Sequence, residues 1–401
     1  MVYRSVQITE KSAISGGAIM KKLAIIGASY LQEPLIEKAR ALGCQTHVFA
    51  WKTGDIGERT ADFFYPLSIV EKDKILEKCR EIGIDGICTI ASDLAVVTVN
   101  YVAEKMGLPG NSMESTELST NKHLMRKAFE TNGDPSPRSI LVSSISDLEG
   151  IKLCYPVIVK PTDRSGSRGI TELFSAQRLE SAIEEAKAES FEKKALVEEF
   201  VTGQEYSVEF LSFRGNHHFL AMTQKFTTGA PHFIETGHLE PAFVDPETEK
   251  RVIQIVTHAL NSLKIQNGAS HSELKINADG VIRLIEIGGR MGGDFIGSSL
   301  VNISTGIDFI EQVIRIALGE EPKLVSSRKK EAAAVRFIFT QKDVEVFEQL
   351  RKEHPEYVVA YEIHPVTSEA VTDSASRFGY FLFKAEDREA LLPYLPKPDV
   401  Q

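Results

Sequence analysis

The chain is poor in cysteine, has no long apolar run and concentrates its positive charge nowhere. Four cysteines, Cys44, Cys79, Cys88 and Cys154, are spread through 401 residues, too far apart for the C-x-x-C pairing that structural zinc or dithiol redox chemistry uses. Three of them sit among apolar residues, the usual setting of a free thiol in a reducing cytoplasm. No segment approaches the ~20 uninterrupted apolar residues of a membrane span, and Glu10 and Lys11 stand where a secretory signal would be apolar. With 46 Lys and Arg against 56 Asp and Glu the formal net charge is -10, which repels duplex nucleic acid and anionic membrane. What these absences leave is a cytoplasmic protein with small-molecule partners, no nucleic acid and no membrane among them.

What is present is a globular composition. Hydrophobic residues at 42% and charged residues at 25% support sizeable cores, and the length fits two or three domains. Residues 1–19 lack periodicity and read as an extension, disordered or upstream of a native start at Met20. Leu23 to Gly27, Thr46 to Trp51 and Gly86 to Ile90 then read as buried strands, alternating with helical patterns at 31–43, 71–83 and 93–107. Such alternation predicts βαβ units, hence a Rossmann-like parallel-sheet domain over 20–110 that ends at Leu108-Pro109-Gly110-Asn111. Gly27-Ala28-Ser29-Tyr30 offers one glycine where G-x-G-x-x-G is needed, which argues against a dinucleotide site there.

A more mixed region covers 111–320. A helix with Ser119 or Thr120 as N-cap runs through Lys122 to about Asn132, and Asp134-Pro135-Ser136-Pro137 stops it. Pro156 to Lys160, Ala195 to Phe200 and Tyr206 to Ser212 read as strands, 176–189 and 307–318 as helices. The charged stretch 320–331 reads as a linker to a small C-terminal α+β domain over 321–401, with strands in 334–340 and 379–383 around a helix at 342–352. The fold class is therefore α/β plus α+β in several domains.

The most informative segment is a hairpin, His271 to Ile276, the turn Asn277-Ala278-Asp279-Gly280, and Val281 to Ile287. Pairing 276 with 281 puts His271, Glu273 and Lys275 on one face with Ile282, Leu284 and Glu286, and sets Glu273 diagonal to Glu286 at ~7–8 Å between Cα atoms. Two carboxylates converging beside apolar residues are costly alone, and a hard divalent cation offsets their charge. Magnesium, or manganese in its place, is the candidate; a solvated face on which Lys275 pairs one glutamate is the alternative.

The strand then enters Gly288-Gly289-Arg290-Met291-Gly292-Gly293, a loop that lets a ligand approach the backbone, with Arg290 offering a planar fork to carboxylate or phosphoryl oxygens. Upstream, Lys160 closes a strand and opens the loop Pro161 to Gly169, whose amides can fold over phosphates while the lysine meets them as a point charge. It is not a Walker A loop, because its lysine precedes the glycines. Ala195 to Tyr206 adds carboxylates around an apolar segment, and Lys122 opposes the dipole of the helix it begins.

Taken in order, Lys122, PVIVKPTDRSGSRGI, LVEEFVTGQEYSVE and a carboxylate strand pair closing on IEIGGR resemble the ATP-grasp superfamily over about 20–401. The resemblance implies a pre-ATP-grasp domain, a central ATP-grasp module over 111–320 and a C-terminal piece that together ligate a carboxylate to an amine with ATP. By motif, Lys122 and Lys160 would contact phosphates beneath a loop holding Ser165, Gly166, Ser167 and Gly169. Glu198 with Glu199, Phe200 and Val201 would hold adenine and Glu205 the ribose. Glu273 and Glu286 match magnesium ligands, and Arg290 the arginine that grips the substrate carboxylate and its acyl phosphate, with Lys160 beside it in catalysis. Gly288 departs from the pattern, since many members carry Asn there, and this leaves the number of metal ions open.

Within the superfamily the segments 225–238 and 268–275 look most like bacterial L-amino-acid ligases. There Lys225 would meet phosphates, and His232, Glu235, His238 and His271 are candidates for substrate contact. Other ATP-grasp ligations stay open, phosphoribosylamine–glycine ligase or a carboxylase component among them, as do a non-catalytic nucleotide-binding protein and a homodimeric assembly.

Overall fold

The computed structural model describes residues 20–164, 168–230, 233–326 and 330–397, so the expected extension 1–19 lies outside the described residues. Four parallel strands form the first sheet, in the order Phe63–Tyr65, Gln45–Phe49, Lys22–Ile26, Gly86–Cys88. Their apolar runs are continuous because both faces are covered. Leu23, Ala24, Ile25 and Ile26 are fully buried in one core with residues of the helices Glu33–Ala41, Lys72–Ile82 and Asp93–Met106. The strand order reverses between Lys22–Ile26 and Gly86–Cys88, so the segments that follow these two strands flank a crevice, the usual place for a ligand in such sheets.

An eight-stranded antiparallel sheet follows the order Ile282–Gly288, Gly268–Ile276, Gln204–Phe213, Asn216–Thr227, Glu235–Glu240, Ala332–Phe337, Gly379–Ala385, Val358–Ile363. The expected small C-terminal domain is thus continuous with the centre, because Ala332–Phe337 pairs with Glu235–Glu240. Phe226 and Leu239 share a core with Phe347, Phe381 and Phe383. The helix Phe309–Ala317 joins the first domain's core instead, and an added Cβ on Gly86 would stand 2.5 Å from the Ala317 carbonyl oxygen. A third, four-stranded antiparallel sheet has the order Ser139–Val142, Ala195–Glu199, Val157–Pro161, Thr171–Leu173.

Two expectations need correction. The helix through Lys122 to Asn132 is present, but its cap is Asn121 and not Ser119 or Thr120, which end a preceding helix, Met113–Thr120; the Asn121 side-chain oxygen accepts from the His123 and Leu124 amides at 3.0 and 3.2 Å. Asn satisfies orphan amides here as Ser or Thr would. The hairpin register also differs. Ile276 faces Ile282 and Leu274 faces Leu284, both leucines in the core, and then a bulge at Ile285 sets Glu273 directly opposite Glu286. Strict alternation would have put Glu286 on the face opposite to Glu273; the extra residue turns it back. The bulge is held from outside the sheet, with the Leu284 amide donating to Pro135 O at 2.7 Å and the Ile285 carbonyl accepting from Arg126 at 2.6 Å.

Candidate active site

A cavity between the two antiparallel sheets is lined by Lys122, Lys160, Glu198, Glu205, Lys225, Glu273, Glu286 and Arg290, among others. Lys160 is held at its floor by Glu198 at 2.5 Å, and Glu198 also accepts from Arg126 at 2.9 and 3.3 Å. Burial opposes ionisation of Glu198, but Arg126 and then Lys160 more than offset it and bring the carboxyl to about 2. Burial is also the leading reason that Lys160 loses its proton more readily than an exposed lysine, with Arg126 and Lys122 adding to it against Glu198. The Glu198 side chain is thus engaged in positioning two cations, while Glu199, Phe200 and Val201 border the cavity.

On the opposite wall the balance is reversed. Lys225 lies 2.6 Å from Glu273, 2.8 Å from Glu205 and 3.7 Å from Glu235. Burial would favour its neutral form, yet Glu205, Glu273 and Glu235 raise its pKa well above the ordinary value. Burial pushes the Glu235 carboxyl up, because Lys225 compensates it only in part and Asp294 stands near. Glu273 feels the same burial, but Lys225 and His271 hold it well below the usual carboxylate range. His271 binds the fully buried Glu209 through Nδ1 and reaches Glu273 at 3.5 Å through Nε2. Against burial, Glu209 lifts the imidazole to about 9. Glu286 faces Lys122, whose ammonium donates to it and to Arg164 O, both at 2.7 Å.

Arg290 carries its fork to a partner the sequence did not suggest. Its Nε and Nη2 donate to the two oxygens of Asp93 at 2.9 and 3.0 Å. Asp93 begins the helix Asp93–Met106, whose cap Ser92 accepts from the Ala95 amide. The same pair explains Gly288, where an added Cβ would stand 2.9 Å from Asp93 Oδ1 and 3.3 Å from Arg290 Nε. Gly292 is equally constrained, since its amide donates to Glu209 at 3.0 Å and an added Cβ would lie 2.8 Å from His271 Nδ1. The glycine-rich loop is therefore pinned onto two ion pairs.

The other sequence candidates fall in three groups. Glu235 and His271 border this cavity and also a second one beside it, which His238 borders too. Gly169 is described, with φ 66 in the left-handed region. Ser165, Gly166, Ser167 and His232 lie outside the described residues. Lys275 pairs with neither glutamate; its ammonium lies 5.3 Å from the Phe200 ring centre and 5.8 Å from that of Phe233. Asp93, Arg126 and Glu209 were missed because each is defined by a distant partner.

Among the described residues, no group of three or more His, Cys, Asp or Glu side chains could hold a metal ion. The site offers two hard oxygen donors, Glu273 opposite Glu286, each answered by a lysine. Such a pair suits magnesium, which binds one or two carboxylates and completes its shell with water and phosphate oxygens.

Residues 153–298 match the family of ATP-grasp domains. It is 27% identical over 278 residues to the alanine–anticapsin ligase of Bacillus subtilis (strain 168), a match that covers 60% of this chain and 58% of the relative. The chain thus spans under two thirds of that relative's length. The crystal structure of an L-amino acid ligase from Bacillus licheniformis superposes with a TM-score of 0.80 at 25% identity, over 93% of this chain and 96% of that one. A phosphoribosylglycinamide synthetase from Anaerococcus prevotii shares the fold at a TM-score of 0.73 and 21% identity, over 93% and 96%. Among the described residues no helix is long and apolar enough to cross a membrane.

Proposed function

We propose that the chain is an ATP-dependent, ADP-forming carboxylate–amine ligase acting on an amino acid. The observation that carries this reading is the meeting of Lys122, Lys160, the opposed Glu273 and Glu286, and Arg290 around one cavity. Lys160 and Lys122 receive the phosphates as point charges, and Glu199 to Val201 with Glu205 border the nucleoside. Glu273 and Glu286 would hold magnesium, which when bound neutralises phosphate charge during transfer. A substrate carboxylate oxygen attacks the γ-phosphorus and the bond to ADP breaks; the amine nitrogen then attacks the acyl carbon and phosphate leaves. Arg290, fixed by Asp93, presents its remaining N–H groups to the transferring oxygens, a donor already oriented before charge develops.

The same reading divides the chain into a pre-ATP-grasp domain over 20–110, the ATP-grasp module over 111–320 and the remainder over 321–401. Cys44, Cys79 and Cys88, buried and unbridged, suit a reducing cytoplasm. A ribonucleotide substrate is less well served. Of the basic residues bordering the second cavity, Arg290, Arg377 and Lys225 are each tied by carboxylates, those of Asp93, Asp294 and Glu273 among them, which leaves Arg168 as the guanidinium there to meet another phosphate. The test is phosphate release from ATP across pooled amino acids, followed by mass detection of the amide. Release that requires an amino acid and yields an amide supports the ligase; ATP cleavage indifferent to amino acids refutes it.

A further inference from the structure

Beside the nucleotide pocket a second cavity of about 280 Å³ opens at the crevice of the parallel sheet, bordered by Tyr30, Asp93, His238, Asp294, Ser374 and Arg377. Asp294 and Phe295 both adopt left-handed backbone, φ 47 and 67, a costly conformation for successive residues with side chains, of the kind found where a structure must aim a functional group. Arg377 secures it from the far end of the chain. Its Nη1 and Nη2 donate to the two Asp294 oxygens at 2.9 Å each, its Nε donates to Ser374 O at 2.7 Å, and its guanidinium lies 3.6 Å from the Phe337 ring centre.

With Arg377 so committed, each Asp294 oxygen still has a lone pair to offer, because an ionised carboxylate accepts about four hydrogen bonds. His238, fully buried on the same cavity, has no protein partner at either ring nitrogen, and a buried polar atom without one calls for a ligand or water. Burial, helped by Lys225 and Arg377 against Asp294, pushes this imidazole down to about 3, so the ring is neutral, with one donor and one acceptor nitrogen. An anionic group entering here meets Asp294, Glu235, Glu273 and Asp373 on the same lining, with Arg168 at its border as the opposing charge; an apolar one leaves Asp294 and His238 unsatisfied.

We propose that Asp294, set in place by Arg377, is the specificity-determining residue of the second-substrate subsite, and that this subsite takes amino acids whose side chain donates hydrogen bonds over apolar or anionic ones of the same size. The proposal rests on the ligase reading above. Its test is calorimetric binding of L-asparagine, L-leucine and L-aspartate, which share nearly one shape, to the full chain saturated with ADP. Asparagine is expected to bind at least about tenfold more tightly than the other two, a gap worth ~1.4 kcal/mol.

Asp294→Ala should shrink the gap between asparagine and leucine to below about threefold, and Asp294→Asn should narrow that between asparagine and aspartate, since an amide can donate to the carboxylate. Arg377→Lys should weaken asparagine and leave leucine unchanged, which a merely structural role would not do. ADP affinity should stay within about twofold throughout. Leucine binding as tightly as asparagine in the wild type, or a gap that survives Asp294→Ala, overturns the subsite and leaves the ligase reading standing. Binding of none of the three overturns the subsite as well, and the ligase reading is then decided by phosphate release across the pooled amino acids. Should Asp294→Ala not fold, the wild-type series and Asp294→Asn still decide the matter.

Discussion

Lys160 and Lys225 are both buried lysines on the wall of one cavity, and their surroundings are opposite in sign. Around Lys160, Arg126 and Lys122 join it against Glu198 and Glu286, so cations outnumber carboxylates. Around Lys225, Glu205, Glu235, Glu273 and the Glu209 beneath His271 outnumber one ammonium and one imidazolium. On the proposed reading the first wall takes the anion, the phosphates, while the second has carboxylate to spare for a cation. A single cavity thus sorts the two kinds of charge that phosphoryl transfer to a carboxylate must hold apart and then bring into line.

The largest effect that would test this contrast is on stability. Lys225→Met leaves three carboxylates without their cation and should cost ~3–5 kcal/mol at pH 8. Without Lys225 the folded-state pKa values of Glu235 and Glu273 rise above the unfolded ones, so the folded variant binds protons more readily than its unfolded chain. Its stability then falls as pH climbs from the carboxylate range toward 8, and denaturant unfolding at pH 5 should recover part of the loss. Lys160→Met should cost less, because Glu198 keeps Arg126. Equal losses for the two variants, or a Lys225→Met loss indifferent to pH, would break the comparison.

Next in size is Glu286→Gln, which should lower turnover by at least about a hundredfold, ~2.7 kcal/mol in the barrier, while the protein stays folded. A change of only a few-fold at saturating magnesium would remove Glu286 from the metal site. Lys160→Met should weaken ADP by about 2 kcal/mol through loss of a charged hydrogen bond, and unchanged affinity by calorimetry would move the phosphates elsewhere. The smallest expected effect is that of Arg290→Lys, about tenfold in ligation, ~1.4 kcal/mol, with ATP binding within about twofold. Asp93→Asn should reproduce it, since Asp93 orients the fork; ligation unaffected by either change would reduce Arg290 to a loop residue.

What the sequence disclosed follows from how local the cause is. Leu23 to Ile26 is read as a buried strand because apolar residues alone decide it, and the helix Phe309–Ala317 shows its period plainly. Asn216–Thr227 and Glu235–Glu240 escaped notice because Gln224, Lys225, Glu235, His238 and Glu240 interrupt the apolar pattern with side chains that serve the cavity or its surroundings. The helix Pro246–Ser262 was passed over although Asp245 as cap and Pro246 at its first turn announce it. Convergence of Glu273 and Glu286 was anticipated from period two, but the bulge that achieves it depends on contacts with Arg126 and Pro135, more than a hundred residues away. Asp93 looked like an ordinary acid in a helix's first turn, and only folding shows that it meets Arg290.

An acyl phosphate leaves a mark that no other use of ATP here would leave. If a substrate carboxylate oxygen attacks the γ-phosphorus, that oxygen departs with the phosphate when the amine displaces it. Ligation of an amino acid labelled with ¹⁸O in its carboxylate should therefore yield inorganic phosphate carrying one labelled oxygen for each amide formed. Amide formation accompanied by unlabelled phosphate would contradict direct carboxylate phosphorylation, and with it the roles given to Lys160, Arg290 and the opposed glutamates.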